Sequence, residues 1–387
     1  MYKRTSNIEL LRITAMLMII ACHIFSHCVN IQLTDINYIT ALGNGHFCNP
    51  GFSKKLCVLA IIPPMGASGN AIFILISGYF MAHRDTIDLT KIAKKLLLWL
   101  GFAAIILGFV SIYAYRHVTQ IPITPIPFHS FNTMSWYVGY YFIIVVLAKI
   151  YLNGLLNKLE QKKYAMLLIV LFALLQFTFS TSIIANLAGG LEIVCTGIFL
   201  YSLGGYIRKY NPFDSFRLWA VLATVIVINI IIIGNFYITT AANILTYDAS
   251  KGELFIQNIG GYSNNQLVPL ILGIAIFELF RRMQIPGSRV LTFLGSSTFM
   301  VYLIHDNAFV HKLWHSKDWV TLLHENTPLF LATYGTWTLI TFAAGVVCYS
   351  IFIIGSKLLQ PLRRLAVKQT AQNKTKSGTP FKGKKIR

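Results

Sequence analysis

The sequence is short of charge. Only 12% of its 387 residues are Asp, Glu, Lys or Arg, about half of the roughly 25% that soluble domains carry, and only 13 are acidic. That supply is too small to wet the surface of an ordinary soluble enzyme. Neither C-x-x-C nor H-E-x-x-H occurs, so the common zinc motifs are missing and no metal site is expected. Of the six cysteines, Cys28, Cys48 and Cys57 cluster in or beside one expected loop, whereas Cys22, Cys195 and Cys348 sit in apolar runs. A disulfide among the first three needs an oxidising compartment, and three candidates leave an odd thiol. The first apolar run does not end at a small-residue cleavage site and is interrupted by Arg12 and His23, so it reads as a retained helix rather than a signal peptide. Repeats, heptad runs and a second soluble domain are also missing.

What is present is hydrocarbon. Hydrophobic residues make up 55% of the chain, in long runs such as 96–110 and 218–233. A bilayer core needs roughly 20 mostly apolar residues per spanning helix. The spacing predicts an all-α, polytopic integral membrane protein with about ten spans, near 8–28, 62–82, 93–115, 132–152, 164–184, 192–208, 218–240, 264–280, 290–310 and 328–356. With both termini placed in the cytoplasm, 26 of the 33 Lys and Arg residues fall on the inner side and six on the outer, with Arg12 inside the first span. That asymmetry is what the positive-inside rule produces, so the net charge of +20 reports orientation and not nucleic-acid binding. Residues 1–360 are expected to form one membrane domain, and 361–387 a basic, disordered cytoplasmic tail facing the lipid surface. The outer loops 29–61 and 241–263 are long enough to suggest a task of their own.

Ionisable groups inside a span are costly and ask for a partner or a role. The first span holds Glu9, Arg12 and His23. Arg12 and His23 differ by about 20° around a helix axis and about 16 Å along it, so both face one stripe. Glu9 can pair with Arg12 at i, i+3. The bland alternatives are a snorkelling Arg12 and a His23 that only bonds a neighbouring helix. His305 lies fifteen residues into the ninth span, as His23 does after Ile8, which permits one shared cavity at equal depth. Tyr302 precedes it by one turn. Trp136, Tyr137 and Glu192 begin their spans from the outside and can line the same mouth. Ser77 and Gly78 stand at the depth of Arg12, where close helix packing through small residues is the competing reading. A cation at the inner mouth suits a phosphate-bearing donor, and an imidazole deeper in suits proton transfer at neutral pH. His311 and His315 read as outer-interface residues rather than a metal pair, and Glu278 as an inner-end ion pair with Arg281 and Arg282.

These residues resemble a known family. Glu9-Leu10-Leu11-Arg12 followed eleven residues later by His23 is similar to the acidic-x-x-Arg and Arg-x10-His signature of the membrane-bound acyltransferase-3 family. Phe73-Ile74-Leu75-Ile76-Ser77-Gly78-Tyr79 resembles its second helix, although Tyr79 stands where Phe is usual, and a basic inner loop from Arg84 to Lys95 follows. Ser135-Trp136-Tyr137 resembles its fourth helix, and Ser297 with Tyr302-Leu303-Ile304-His305 its late Ser…Tyr-Leu-x-His segment. The resemblance covers all ten spans in order, and no hydrolase-like domain follows them. It implies an O-acyltransferase, usually an O-acetyltransferase, in the bacterial cell membrane. The donor would be acyl-CoA, acetyl-CoA in the usual case, with no permanently bound cofactor, and the acceptor a hydroxyl of a surface polysaccharide or related glycan.

On that reading His23 is the catalytic residue, acting purely as a base or first carrying the acyl group as an acyl-histidine. Arg12, Glu9, Ser77, Gly78, Arg84, Lys94 and Lys95 attend the donor, and His305, Tyr302, Trp136 and Glu192 attend the acceptor or support His23. For His305, orienting His23, touching the acceptor and holding helix packing stand open together. The rival class is a transporter or exporter of a lipid-linked glycan with no acyl chemistry. The expected partners are the acyl-CoA, the glycan and the bilayer, not nucleic acid, and a homo-oligomer stays open.

Overall fold

The structure, a computed structural model, describes residues 5–34, 50–118, 135–177, 182–246 and 262–376. Among them every regular element is a helix. In chain order these are α1 (Ser6–Ile24, continued by a π turn at Phe25–Val29 and by Asn30–Thr34), α2 (Pro50–Leu56) and α3 (Pro63–Met81). Next come α4 (Leu89–His117), α5 (Trp136–Leu147, continued by a π turn at Ala148–Leu152 and by Asn153–Lys158), α6 (Gln161–Phe177) and α7 (Ser182–Tyr210). The chain ends with α8 (Leu218–Thr246), α9 (Leu267–Arg282), α10 (Arg289–His305), α11 (Ala308–His315), α12 (Trp319–Glu325) and α13 (Thr327–Lys376).

Each of the ten expected spans overlaps a helix among the described residues. Six helical stretches are long and apolar enough to cross a bilayer: α1 and α5 with their continuations, Lys54–Met81 around α3, and α4, α8 and α13. The other four expected spans correspond to α6, α7, α9 and α10. Several expected boundaries move; α7, for one, begins at Ser182, ten residues before the expected 192 and inside the expected fifth span. The ninth span does not run on to 310, because α10 stops at His305 and Asn307 caps a new helix, its Oδ1 accepting from the backbone N–H groups of Phe309 and Val310 at 3.1 Å. The last helix continues as backbone through Lys376, past the expected start of the tail; residues 377–387 lie outside the described ones, as does Cys48. Cys28 and Cys57 are free thiols, so they form no disulfide with each other.

Helix α1 sits at the centre, against α3, α9, α10 and α13. Its side chains are buried all round, with Leu11, Met16 and Ile20 wholly enclosed, which is the mark of a helix surrounded by others rather than by lipid. The outer helices show the opposite. Ile105 and Phe109 on α4, Ile150 beyond α5, Ile169 on α6, and Ile230 and Ile238 on α8 all point outward, as only a surrounding lipid phase tolerates. This is a membrane protein.

Helix association in lipid relies on close backbone approach and on polar contacts, because lipid tails are as apolar as the side chains they would meet. Both devices appear here. A Cβ added at Gly78 would stand 2.0 Å from the carbonyl oxygen of Tyr201, and one at Gly204 would stand 2.3 Å from that of Leu75, so α3 and α7 interlock through their glycines. Asn153 Nδ2 donates to the carbonyls of Met81 (2.8 Å) and Arg84 (3.0 Å), while its Oδ1 accepts from Tyr201 Oη at 3.0 Å. At the end of α9, Glu278 holds Arg281 and Arg282 at 2.9 and 3.2 Å, and Arg281 also pairs with Asp214. The ion pair expected there is present, enlarged by one carboxylate.

Replacing Gly204 with Ala should lower the stability of the detergent-solubilised protein by roughly 1–3 kcal/mol, the usual cost of overpacking. The matching change at Gly234, whose Cβ would meet nothing within 4 Å, should be neutral. Thermal midpoints of the two variants measured side by side check the difference.

Candidate active site

The stripe on α1 opens into a cavity of about 300 Å³, at the lower end of the range for small-molecule sites. Arg12, Met16 and Ile19 line it from α1, spaced four and three residues apart as one helical face requires. At the Arg12 end the wall is completed by Ser77 of α3 and Lys95 of α4, and at the Ile19 end by Asn70, Tyr137 and Tyr302. The Arg12 guanidinium donates to Glu9 Oε1 at 3.0 Å, and the Glu9 side chain is 2% exposed. Glu9 is held against Gly295 of α10, where a Cβ would stand 3.1 Å from the Glu9 Cα. The cation of the cavity is therefore fixed by its own helix and by one glycine on the next. Lys95 adds a second positive charge, its ammonium 5.0 Å above the Trp99 ring.

One turn beyond Ile19 lies the imidazole pair. His305 is fully buried, and its Nδ1 faces the carbonyls of Tyr302 (2.8 Å) and Val301 (3.2 Å). Carbonyl oxygens only accept, so Nδ1 carries the proton and Nε2 keeps its lone pair. His23 Nδ1 lies 3.0 Å from that Nε2 and must donate to it. Asp306 Oδ2, 3.5 Å away, reinforces the same orientation. With Nδ1 committed, the lone pair of His23 sits on Nε2, which has no hydrogen-bond partner among the described residues. The His23 side chain remains 22% exposed. A base with a fixed tautomer, an uncommitted nitrogen and a carboxylate behind it is the arrangement that serves proton transfer. His23 is not itself on the cavity wall; Ile19 and Tyr302 are, and Tyr302 packs on His305 with ring centroids 5.8 Å apart.

The sequence model of a family described as an acyltransferase domain matches residues 5–358, nearly the whole chain. The chain belongs to the acyltransferase-3 family. No curated protein and no solved structure matches it.

The expected site residues of this acyltransferase divide into three groups. Arg12, Ser77, Lys95 and Tyr302 line the cavity, with Glu9 directly behind Arg12. His23 and His305 meet one turn beyond it. The remaining five are elsewhere. Gly78 serves the α3–α7 contact, because a residue one position from Ser77 is turned about 100° around the helix. Lys94 is off the cavity wall for the same reason, one position from Lys95. Arg84 lines a second hollow with His83 and Arg208, where Arg208 donates to Tyr79 Oη at 3.0 Å. Trp136 is 38% exposed, and neither it nor Glu192 lines the cavity. What Trp136 leaves to its neighbour is clear: the Tyr137 backbone N–H, an orphan donor in the first turn of α5, donates to Tyr302 Oη at 3.2 Å.

Sequence reasoning missed His27, Asp306 and His311. Asp306 Oδ1 accepts from His311 Nε2 at 3.0 Å and lies 3.6 Å from His27 Nε2, and the His27 and His311 rings stack with centroids 3.9 Å apart. Two signals were available. His27 follows His23 at i, i+4, and the Asp306-Asn307 pair before an apolar run is a helix-start signature that would have broken the ninth span.

Nitrogen-15 spectra of histidine-labelled protein should show the His23 ring protonated at Nδ1 and bare at Nε2, with the signal assigned by its loss in His23→Gln. In His305→Ala this single-tautomer signature should give way to a mixture. Finding the opposite tautomer in the unaltered protein would contradict the hydrogen-bond assignment.

Proposed function

We propose that this family member is an integral-membrane O-acyltransferase that moves an acyl group, acetyl in the first instance, from cytoplasmic acyl-CoA to a hydroxyl of a surface polysaccharide or related glycan. The observation that carries the reading is the uncommitted Nε2 of His23, one turn past a cavity whose other end holds Arg12 and Lys95. The basic asymmetry of the sequence supports an orientation with the Arg12 end facing the cytoplasm, and the family resemblance supports ten spans in the plasma membrane of a bacterium.

In this reading the donor's phosphates meet Arg12 and Lys95 at the mouth. Arg84 and Arg208, which line the neighbouring hollow, extend the positive field. The thin pantetheine arm follows Met16 and Ile19 toward His23, which leaves the bulky nucleotide outside a cavity too small to admit it. His23 Nε2 takes the proton from the acceptor hydroxyl as its oxygen attacks the thioester carbonyl. The C–O bond forms, the tetrahedral intermediate collapses with loss of the C–S bond, and the imidazolium returns its proton to the departing thiolate. Asp306 steadies the imidazolium, as a carboxylate beside the second ring nitrogen does in hydrolase triads. His305 is a positioning residue, acting through the His23 tautomer. Family membership weighs against the exporter alternative.

Membranes carrying His23→Ala should lose label transfer from acetyl-CoA to glycan by roughly 10²- to 10⁴-fold, the usual contribution of a general base, at unchanged protein abundance. Retained transfer would remove His23 from the chemistry. Arg12→Ala should instead raise the apparent KM for acetyl-CoA roughly ten- to hundredfold, the scale of one charge-assisted hydrogen bond of about 1.5–3 kcal/mol. An unchanged donor dependence would detach Arg12 from the phosphates.

A further inference from the structure

The groups around Asp306 exceed what acyl transfer needs. The proposed chemistry uses His23, with His305 and Asp306 behind it, but His27 and His311 also converge on the same carboxylate. Ligand atoms of His23, His27 and Asp306 all lie within 4.8 Å of one another. Two of the separations, His23 Nδ1 to Asp306 Oδ2 and His27 Nε2 to Asp306 Oδ1, are 3.5 and 3.6 Å. Tetrahedral coordination with metal–ligand bonds of about 2.0–2.2 Å places neighbouring ligand atoms roughly 3.3–3.5 Å apart. Each imidazole nitrogen therefore stands at nearly that spacing from its own carboxylate oxygen, Oδ2 for His23 and Oδ1 for His27, so that an ion would be held between the two rings and the carboxylate. His311 Nε2, 3.0 Å from Asp306 Oδ1, stands beside these three as the candidate for a fourth ligand. The His27 side chain is 39% exposed, so an ion can reach the cluster without opening the helix bundle.

We propose that His23, His27, Asp306 and His311 form a binding site for a divalent transition-metal ion of the zinc type. Three imidazoles and one carboxylate suit a borderline cation, whereas calcium and magnesium prefer all-oxygen cages. Binding has a direct consequence at His23. The ion takes the lone pair of Nδ1, so the proton moves to Nε2 and the hydrogen bond to His305 is lost. A His23 protonated at Nε2 accepts no proton from a hydroxyl, and the occupied site is an inhibited state. The inhibitory consequence rests on the acyl-transfer reading; the metal site does not.

The full chain, purified in detergent and stripped of metal, should take up one zinc ion per molecule in calorimetric titration. Cobalt in its place should give the visible absorption of a tetrahedral nitrogen and oxygen site. His27→Ala and His311→Ala, each with an unaltered thermal midpoint, should weaken zinc binding at least tenfold, and calcium or magnesium should give no binding heat. No saturable zinc uptake, or uptake equal in the unaltered protein and in both variants, overturns the site. In transfer assays zinc should inhibit the unaltered protein, while His27→Ala should resist the ion relative to its own zinc-free rate. Zinc bound at the cluster with transfer unaffected overturns the inhibition alone. Loss of the calorimetric signal would leave the acyl-transfer reading standing, which His23→Ala tests separately.

Discussion

The register between α1 and α10 is the constraint on which the site rests. The two helices are pinned at both ends, by Glu9 against Gly295 and by His23 against His305. Fourteen residues separate Glu9 from His23, and ten separate Gly295 from His305. Between the pins, Met16 and Ile19 face Tyr302 across the cavity. Slip at either pin would move the guanidinium away from its carboxylate or the imidazoles away from each other. The glycine is what makes the first pin tight, and the carbonyl of Tyr302, by deciding which nitrogen of His305 is bare, gives the second its direction.

The costliest buried groups described above follow one rule. Each is answered by another within hydrogen-bond reach: Glu9 by Arg12, Glu278 by Arg281 and Arg282, Asn153 by Tyr201 and two carbonyls. In lipid such groups have no water to fall back on. The Glu278 cluster draws in Asp214 from the α7–α8 connection and so serves packing. The Glu9–Arg12 pair instead faces a void, with a quarter of the Arg12 side chain exposed. That difference in surroundings, and not the pairing itself, is what separates a structural ion pair from a candidate donor site.

The sequence discloses helix positions well, because apolar runs in lipid leave few alternatives. It discloses the α1 stripe too, since Arg12 and His23 share a face by helix arithmetic alone. Reasoning by depth brought His305 to His23, and the two meet. Adjacent positions fared worse: Gly78 beside Ser77 and Lys94 beside Lys95 point elsewhere, because a motif read along the chain ignores a 100° turn per residue. Depth also said nothing of lateral position, which is why Trp136 and Glu192 lie away from the cavity. Asp306 was hidden by treating 290–310 as one helix. The polar pair at 306–307 ends it, and the resulting corner is what turns a carboxylate back toward two α1 histidines.

The π turn at Phe25–Val29 carries one residue more than the α-helical turn it replaces. Excising a single residue there, such as Ser26, would let α1 run on in regular α geometry. Nothing upstream would change phase, so Arg12 and His23 would keep their common flank. Residues downstream would keep their places too, because the wide turn holds its extra residue inside the coil instead of passing a 100° rotation on. The swelling thus lets the first span carry one residue more than a regular helix of the same length, with the cavity-facing part and the outer segment held in one phase.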